Sequence, residues 1–303
     1  MIKYNPKSWF GLIFHSYSRF VFRKLVPSQI FLMAYTFLMV YLVQDYFQWE
    51  LSSTTTVHSI LGIVLGLFLV FRTDSAYDRW WEGRKIWGNL VNTSRELAFK
   101  INSFLPDTDD ENRKFYSMMI PNFAISLTQH LRSKPEFQEL EFFSKDKNVR
   151  YLNEANKPNF VLKQLFVRTN LLKEKALIDG FQFQVLEENV GGMVDALGAC
   201  ERIRNTPIPY SYSMFMKKFV FLYLITLPFA FMSEFGYWTI LLILFITYIL
   251  LGTELIAEEI EDPFGLDVND LPTDFLAEKI AGDVATILNP EISEPSVLIE
   301  KQP

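Results

Sequence analysis

The chain has 303 residues, half of them hydrophobic and 21% charged, which excludes a disordered protein because such chains combine low hydrophobicity with high charge. Its formal net charge of −6 argues against a general nucleic-acid binder, since neutralising phosphates needs a basic surface. The single cysteine, Cys200, excludes an intrachain disulfide framework and a cysteine-based zinc site. Three histidines lie far apart in sequence, which argues against a histidine-rich metal site.

The N-terminal segment, residues 1–24, has aromatic and aliphatic side chains at helical spacing with lysines and arginines around them. This pattern predicts a helix that lies in the membrane interface. Packing on the cytosolic part of the protein is the open alternative. The segment lacks the apolar core and small-residue cleavage site of a secretory signal.

Apolar stretches predict four transmembrane helices, at residues 25–46, 51–81, 217–233 and 235–256. A hydrocarbon core of about 30 Å needs about 20 helical residues. The third span is short, but the aliphatic stem of Lys218 can extend it. A soluble protein with long buried helices is the alternative interpretation. Lysines and arginines lie before the first and third spans and after the second, so both termini and the middle of the chain are predicted in the cytoplasm.

The polar middle segment, residues 82–216, is predicted to be a cytosolic helical domain. Helical periodicity extends over about 75–104, 110–132, 160–175 and 180–203, with short helix and loop over 135–158. Residues 257–303 form a cytosolic C-terminal segment.

The second span has two distinct faces. Ile60, Val64 and Phe68 are spaced four residues apart and share one face, while Gly62 and Gly66 lie roughly opposite and allow close helix packing. A ring of such helices could place the apolar row around an axis, where it would gate ions by dewetting. The same row could instead face lipid or the protein core.

A group of carboxylates follows the fourth span. Three of them, Glu254, Glu258 and Glu261, share a helix face, and Asp262 and Asp267 come next. They could attract ions or hold a metal, but the metal itself is unknown from the sequence. A solvated helix face is the alternative interpretation.

Three motifs in this order resemble the bestrophin family. They are FRTDSAYDRWWEGR (71–84) at the end of the second span, RIRNTPIPY (202–210) before the third, and EEIEDPFG (258–265) after the fourth. The resemblance covers about residues 5–290. It implies an all-α membrane protein with four transmembrane helices per subunit and a cytosolic helical domain, assembled as a pentamer around one central pore.

The resemblance also implies positions for two constrictions. The neck falls on Ile60, Val64 and Phe68, and a register shift of one turn would bring in Thr56 or Ile63. The constriction at the cytosolic mouth falls on Ile178, with Phe181 as the neighbouring alternative.

One departure from the animal members concerns calcium. These follow Pro-Phe-Gly with a dense acidic run that clasps calcium, whereas this chain has LDVND (266–270), with two carboxylates. Because calcium takes six to eight oxygen ligands, we expect no cofactor and no calcium activation.

The function that the resemblance implies is passive conduction of small monovalent ions, by family default chloride and other anions. A monovalent cation channel of the same architecture is the first alternative. A non-conducting receptor or a membrane-embedded metalloenzyme is the second. The expected partners are further copies of the chain, membrane lipid and small inorganic ions, with no nucleic acid. The expected location is the bacterial inner membrane.

Overall fold

The computed structural model describes residues 16–50, 55–132 and 150–288. Within these ranges the chain forms helices and no strand, as the all-α prediction requires. A π-helical turn, Tyr41–Tyr46, continues the helix that ends at Val40, and a 3₁₀ turn, Gly236–Trp238, separates the helix that ends at Phe235 from the one that begins at Thr239. The α-helices are α1 Ser16–Val40, α2 Thr55–Phe104, α3 Asp110–Leu131, α4 Lys157–Glu174, α5 Gly180–Asn205, α6 Tyr210–Phe235, α7 Thr239–Glu261 and α8 Thr273–Leu288.

The chain divides into two compact units, which are described separately. The first comprises Met1–Trp80, Pro207–Pro263 and Asp267–Asp270. The second comprises Trp81–Thr206, Phe264–Leu266 and Leu271–Pro303. The long helix α2 contributes residues to both.

The first unit is built from α1, the start of α2, α6 and α7. Its core is an apolar cluster that includes Leu32, Leu65, Leu227 and Ile243, one from each of the four helices. Among the described residues, three helical stretches are long and apolar enough to cross a membrane by length and composition, namely Val21–Tyr46, Thr55–Phe104 and Tyr210–Glu261. The last stretch contains both α6 and α7, which pack against each other. The boundaries of the four spans remain a prediction.

The break between α6 and α7 falls at the predicted hairpin. Gly236 has φ +50°, a backbone conformation that a residue with a Cβ atom adopts only with strain. Its N–H donates to the Met232 carbonyl and ends α6. Glycine therefore allows the chain to turn back within three residues.

The second unit contains the rest of α2 with α3, α4, α5 and α8. Three of its helices begin where a side chain caps the first turn. Asp109, Asn156 and Asp179 accept hydrogen bonds from the backbone N–H groups of Asn112, Asn159 and Gln182. The observed helices α3, α4 and α5 agree with the periodicity to within three residues.

Two features of the fold go beyond the sequence predictions. The predicted span 51–81 and the periodic stretch 75–104, which overlap, form one continuous helix, α2. Helix α8 was not predicted; it packs on α3 and buries Leu276, Ile280, Val284 and Leu288, which are spaced four residues apart. Of the predicted interfacial helix 1–24, residues 1–15 lie outside the described residues, and α1 already begins at Ser16.

Candidate ion pathway

The start of α2 leaves one apolar face uncovered. Leu65 and Leu69 turn into the core of the first unit, whereas the predicted neck residues Ile60 and Val64 are 59% and 39% exposed. Ile63, one of the two residues that a shift of register would bring in, is 74% exposed. Exposed apolar side chains on a helix of this length need either lipid or another protein surface to cover them.

Phe68, the third predicted neck residue, is in a different environment. Its half-buried ring packs edge-on against Phe215 and Phe219 of α6, with ring centroids 6.1 and 6.4 Å away. Such edge-to-face pairs hold a ring in a defined orientation. The neck assignment as a whole remains a prediction.

The two glycines of α2 have unequal surroundings. A Cβ on Gly62 would lie 2.8 Å from the Tyr223 hydroxyl, so this glycine permits close contact between α2 and α6. Gly66 has no such neighbour within 4 Å. It instead lines an apolar groove of about 580 Å³ between α2 and α7, together with Thr73, Ile249 and others.

Two of the predicted ion-attracting acids belong to a buried ion-pair cluster. Arg72, which is buried, donates from Nη2 to Glu261 Oε2 at 2.6 Å, and its Nε lies 3.7 Å from Glu254 Oε1. The other Glu261 oxygen accepts from the Ile208 backbone N–H at 3.0 Å, and the Glu261 carbonyl accepts from Arg79 Nε at 3.0 Å. The cluster thus connects α7 to α2 and to the chain just before α6.

The remaining acids lie at or near the surface. Glu258 forms an exposed ion pair with Lys217 at 3.3 Å, and Asp262 and Asp267 are exposed. The buried carboxyl nearby is Asp270, whose Oδ2 accepts from the Asp267 backbone N–H at 2.6 Å. Burial raises the pKa of Asp270 to about 7, and the neighbouring carboxylates add to the effect. In the part of the chain that the structure describes, no three His, Cys, Asp or Glu residues form a group that could hold a metal.

Sequence reasoning did not identify Arg72 as the centre of this cluster. It treated this arginine as one of several interfacial charges that set the orientation. The available signal was its position directly after 21 charge-free residues, combined with carboxylates at the matching end of the fourth span.

The two alternatives for the cytosolic constriction differ in exposure. Ile178, in the turn before α5, is 5% exposed within its own chain, whereas Phe181 in the first turn of α5 is 82% exposed. A side chain that lines a pore has to be exposed on its own subunit, and Phe181 meets this condition far better than Ile178.

Comparison with known proteins identifies the family. Residues 1–286 match the family described as Bacterial/Fungal Bestrophin protein. This chain belongs to the bacterial and fungal bestrophin family. The family assignment also argues against the metalloenzyme interpretation.

Individual relatives cover most of the chain. The voltage-dependent anion channel-forming protein alr2987 of Nostoc is 37% identical over 241 residues, which is 77% of this chain and 78% of the relative. The voltage-dependent anion channel-forming protein YneE of Escherichia coli K12 is 29% identical over 99% of this chain and 97% of its own length. The crystal structure of a bacterial bestrophin homologue from Klebsiella pneumoniae superimposes with a TM-score of 0.81 at 26% identity, covering 87% of this chain and 98% of that one. This chain therefore has the fold of that bestrophin homologue.

Proposed function

We propose that this bestrophin is one subunit of a homopentameric channel that conducts small monovalent anions passively. The single observation that carries the proposal is the uncovered apolar face of α2, on a bestrophin-family chain whose named relatives are described as anion channel-forming. Five copies would turn this face toward a common axis. The membrane is the inner membrane of a bacterium, with both termini in the cytoplasm.

The neck would act as the gate. Ile60, Val64 and Phe68 from each subunit would form stacked apolar rings, which oppose ion passage by expelling water from a narrow constriction. The packing of Phe68 on α6 supports a ring held in a defined orientation. A positive ring edge directed to the axis would favour anions.

Phe181 would line the second constriction in place of Ile178, as its exposure supports. Of the two carboxylates in LDVND (266–270), Asp267 is exposed and Asp270 is buried. We therefore propose conduction without calcium or any other cofactor.

A monovalent cation channel is the second candidate. The net charge of −6 per chain and the exposed Asp262 and Asp267 favour it, because acidic surfaces raise the local cation concentration.

The deciding experiment is a reversal-potential measurement on the purified protein in a planar bilayer, under a KCl gradient and with calcium chelated. We expect reversal near the chloride equilibrium potential. Reversal near the potassium value would support the cation channel, and absence of current from the assembled protein would contradict both.

The same recordings test the neck. The triple variant Ile60→Ala, Val64→Ala, Phe68→Ala should carry a several-fold larger current, because smaller side chains widen and wet the constriction. Phe245→Ala on α7, which removes an apolar side chain about as exposed as that of Ile60, is the matched control and should leave the current unchanged. An unchanged current in the triple variant would contradict the neck assignment.

A further inference from the structure

A second groove in the first unit contains none of the predicted neck residues. It has a volume of about 600 Å³ and lies between α1, α6 and α7. Its charged residues are Lys24, Lys217, Glu254 and Glu258, and most of its remaining lining is apolar. A cleft with a charged part and an apolar part on membrane-spanning helices is suited to an amphiphile.

On each of the three helices, the charged residue lies at the same end of the groove and the apolar residues extend away from it. On α1 the lining runs from Lys24 to Leu32, and on α6 from Lys217 to Leu224. On α7, whose direction is opposite, it runs from Glu258 back to Leu251. At 1.5 Å per residue the groove therefore extends about 10–12 Å from its charged end into apolar surroundings. A phospholipid has this same order of headgroup and acyl chain.

The charged end contains two cations and two carboxylates. Lys217 and Glu258 form the half-exposed pair at 3.3 Å. Basic residues between transmembrane helices bind lipid phosphates, and lysine stems can lie along the apolar wall while their ammonium groups reach the headgroup. Equal numbers of positive and negative groups favour a headgroup that itself carries both signs.

Glu254 provides the most specific observation. Its side chain is 9% exposed, it lines the groove, and neither of its carboxylate oxygens has a hydrogen-bond partner. Arg72 Nε, at 3.7 Å, lies beyond hydrogen-bonding distance. A buried carboxylate without a donor is costly, so a donor that enters the groove would be bound favourably.

We propose that this groove binds an ethanolamine phospholipid. The phosphate would contact Lys24 and Lys217, the primary ammonium would donate to Glu254, and one acyl chain would follow the apolar wall past Leu32 and Leu224. The proposal goes beyond ion conduction and does not depend on it.

The test is native mass spectrometry of the purified full chain in detergent, titrated with ethanolamine, choline and glycerol phospholipids that have identical acyl chains. We expect ethanolamine phospholipid to bind at least fivefold more tightly than either of the others, because choline lacks ammonium hydrogens and the glycerol headgroup lacks the cation. Equal binding of the three, or preference for the glycerol lipid, would overturn the proposal. Displacement of the lipid by inorganic phosphate at the same concentration would also overturn it, because it would assign the site to a free anion.

Two variants of charged groove residues locate the lipid headgroup, each with a matched control. Glu254→Gln should abolish the preference for ethanolamine, whereas Glu259→Gln, which is equally buried but outside the groove lining, should retain it. Lys24→Gln should weaken binding severalfold, whereas Arg23→Gln, on the adjacent exposed position, should not.

Ser28→Phe keeps the test decisive if Glu254→Gln fails to fold. Ser28 lines the groove, so a phenyl ring there would fill it and should remove the bound lipid, while Ile30→Phe outside the lining should not. Unchanged lipid binding in Ser28→Phe would overturn the proposal. So would loss of assembly with lipid binding intact, since the groove would then be a contact between copies.

Discussion

Arg72 is a buried cation whose contribution to stability depends on its two carboxylates. Removal of one member of a buried ion pair leaves the others uncompensated, which typically costs about 3–5 kcal/mol. We therefore expect Arg72→Met to lower the free energy of unfolding by about that amount, measured by denaturant unfolding of the protein in detergent.

Two controls accompany the Arg72 prediction. Lys85→Ala removes an exposed cation from the same helix and should change stability by less than about 0.5 kcal/mol. Adding Glu254→Gln and Glu261→Gln to Arg72→Met should recover part of the loss, because the buried negative charges are then gone. If Arg72→Met is as stable as Lys85→Ala, the buried cluster does not stabilise the fold.

Asp270 makes stability depend on pH in an unusual direction. Its pKa is raised to about 7 in the folded protein from 3.8, so the folded state binds more protons than the unfolded state between these values. The contribution of Asp270 to the free energy of unfolding is fully present below about pH 4 and is lost as the pH rises through 7. We expect the unfolding temperature to fall from pH 5 to pH 8, and Asp270→Asn to raise it at pH 8.

The asparagine is a close substitute because its side-chain oxygen can still accept from the Asp267 N–H. Glu278→Gln, at an exposed position on α8, is the control and should keep the pH dependence of the unaltered protein. A pH profile of Asp270→Asn identical to that of the parent would show that Asp270 is not the responsible group.

For individual side chains, sequence reasoning was limited by contacts between helices that are distant in the chain. Spacing placed Glu254 and Glu261 on one helix face, but it could not show that both turn toward Arg72, which lies 189 residues from Glu261 in the chain. Helical periodicity likewise could not place Phe68 beside Phe215 and Phe219, since the contact depends on how α2 packs on α6.

Within the long helix α2, Gly83 marks a point of close packing. A Cβ there would lie 3.1 Å from Leu271 and 3.2 Å from the buried Phe264 ring. Alanine is the better helix former by about 1 kcal/mol, but overpacking costs about 1–3 kcal/mol. We expect Gly83→Ala to destabilise the protein by about 1 kcal/mol in denaturant unfolding.

The matched control for Gly83 lies inside α5. Gly191 has no atom within 4 Å of an added Cβ, so only the gain in helix propensity remains. Gly191→Ala should therefore stabilise the protein by up to about 1 kcal/mol. Equal effects of the two substitutions would mean that packing around Gly83 is loose.

Elements with capping residues were predicted best. The starts of α3, α4 and α5 are local features, because the side chains of Asp109, Asn156 and Asp179 accept hydrogen bonds from the first backbone N–H groups. The boundary proposed at 81/82 separates a span from a cytosolic domain and falls within the continuous helix α2, one residue from the division between the two compact units. Helix α8 lies among residues treated as a tail, and its burial depends on the distant helix α3.

In the proposed channel, the exposed apolar face of α2 is covered by assembly of several copies. The start of α2 exposes several large apolar side chains that one chain cannot bury, namely Ile60, Ile63, Leu67, Val70 and Phe71. We expect the purified protein to have five times the mass of the 35.4 kDa chain, measured by light scattering with the detergent contribution subtracted. A mass equal to one chain would contradict the pentamer, and another multiple would require a different pore geometry.

The ion pair between Arg72 and Glu261 also sets an order of events during biosynthesis. The two residues are separated by 189 positions, which a ribosome translating 5–20 residues per second covers in roughly 10–40 s. During this interval α2 has been made, but its arginine has no carboxylate from α7. The guanidinium must therefore stay hydrated at the membrane surface, and the arrival of α7 is the step that allows it to be buried.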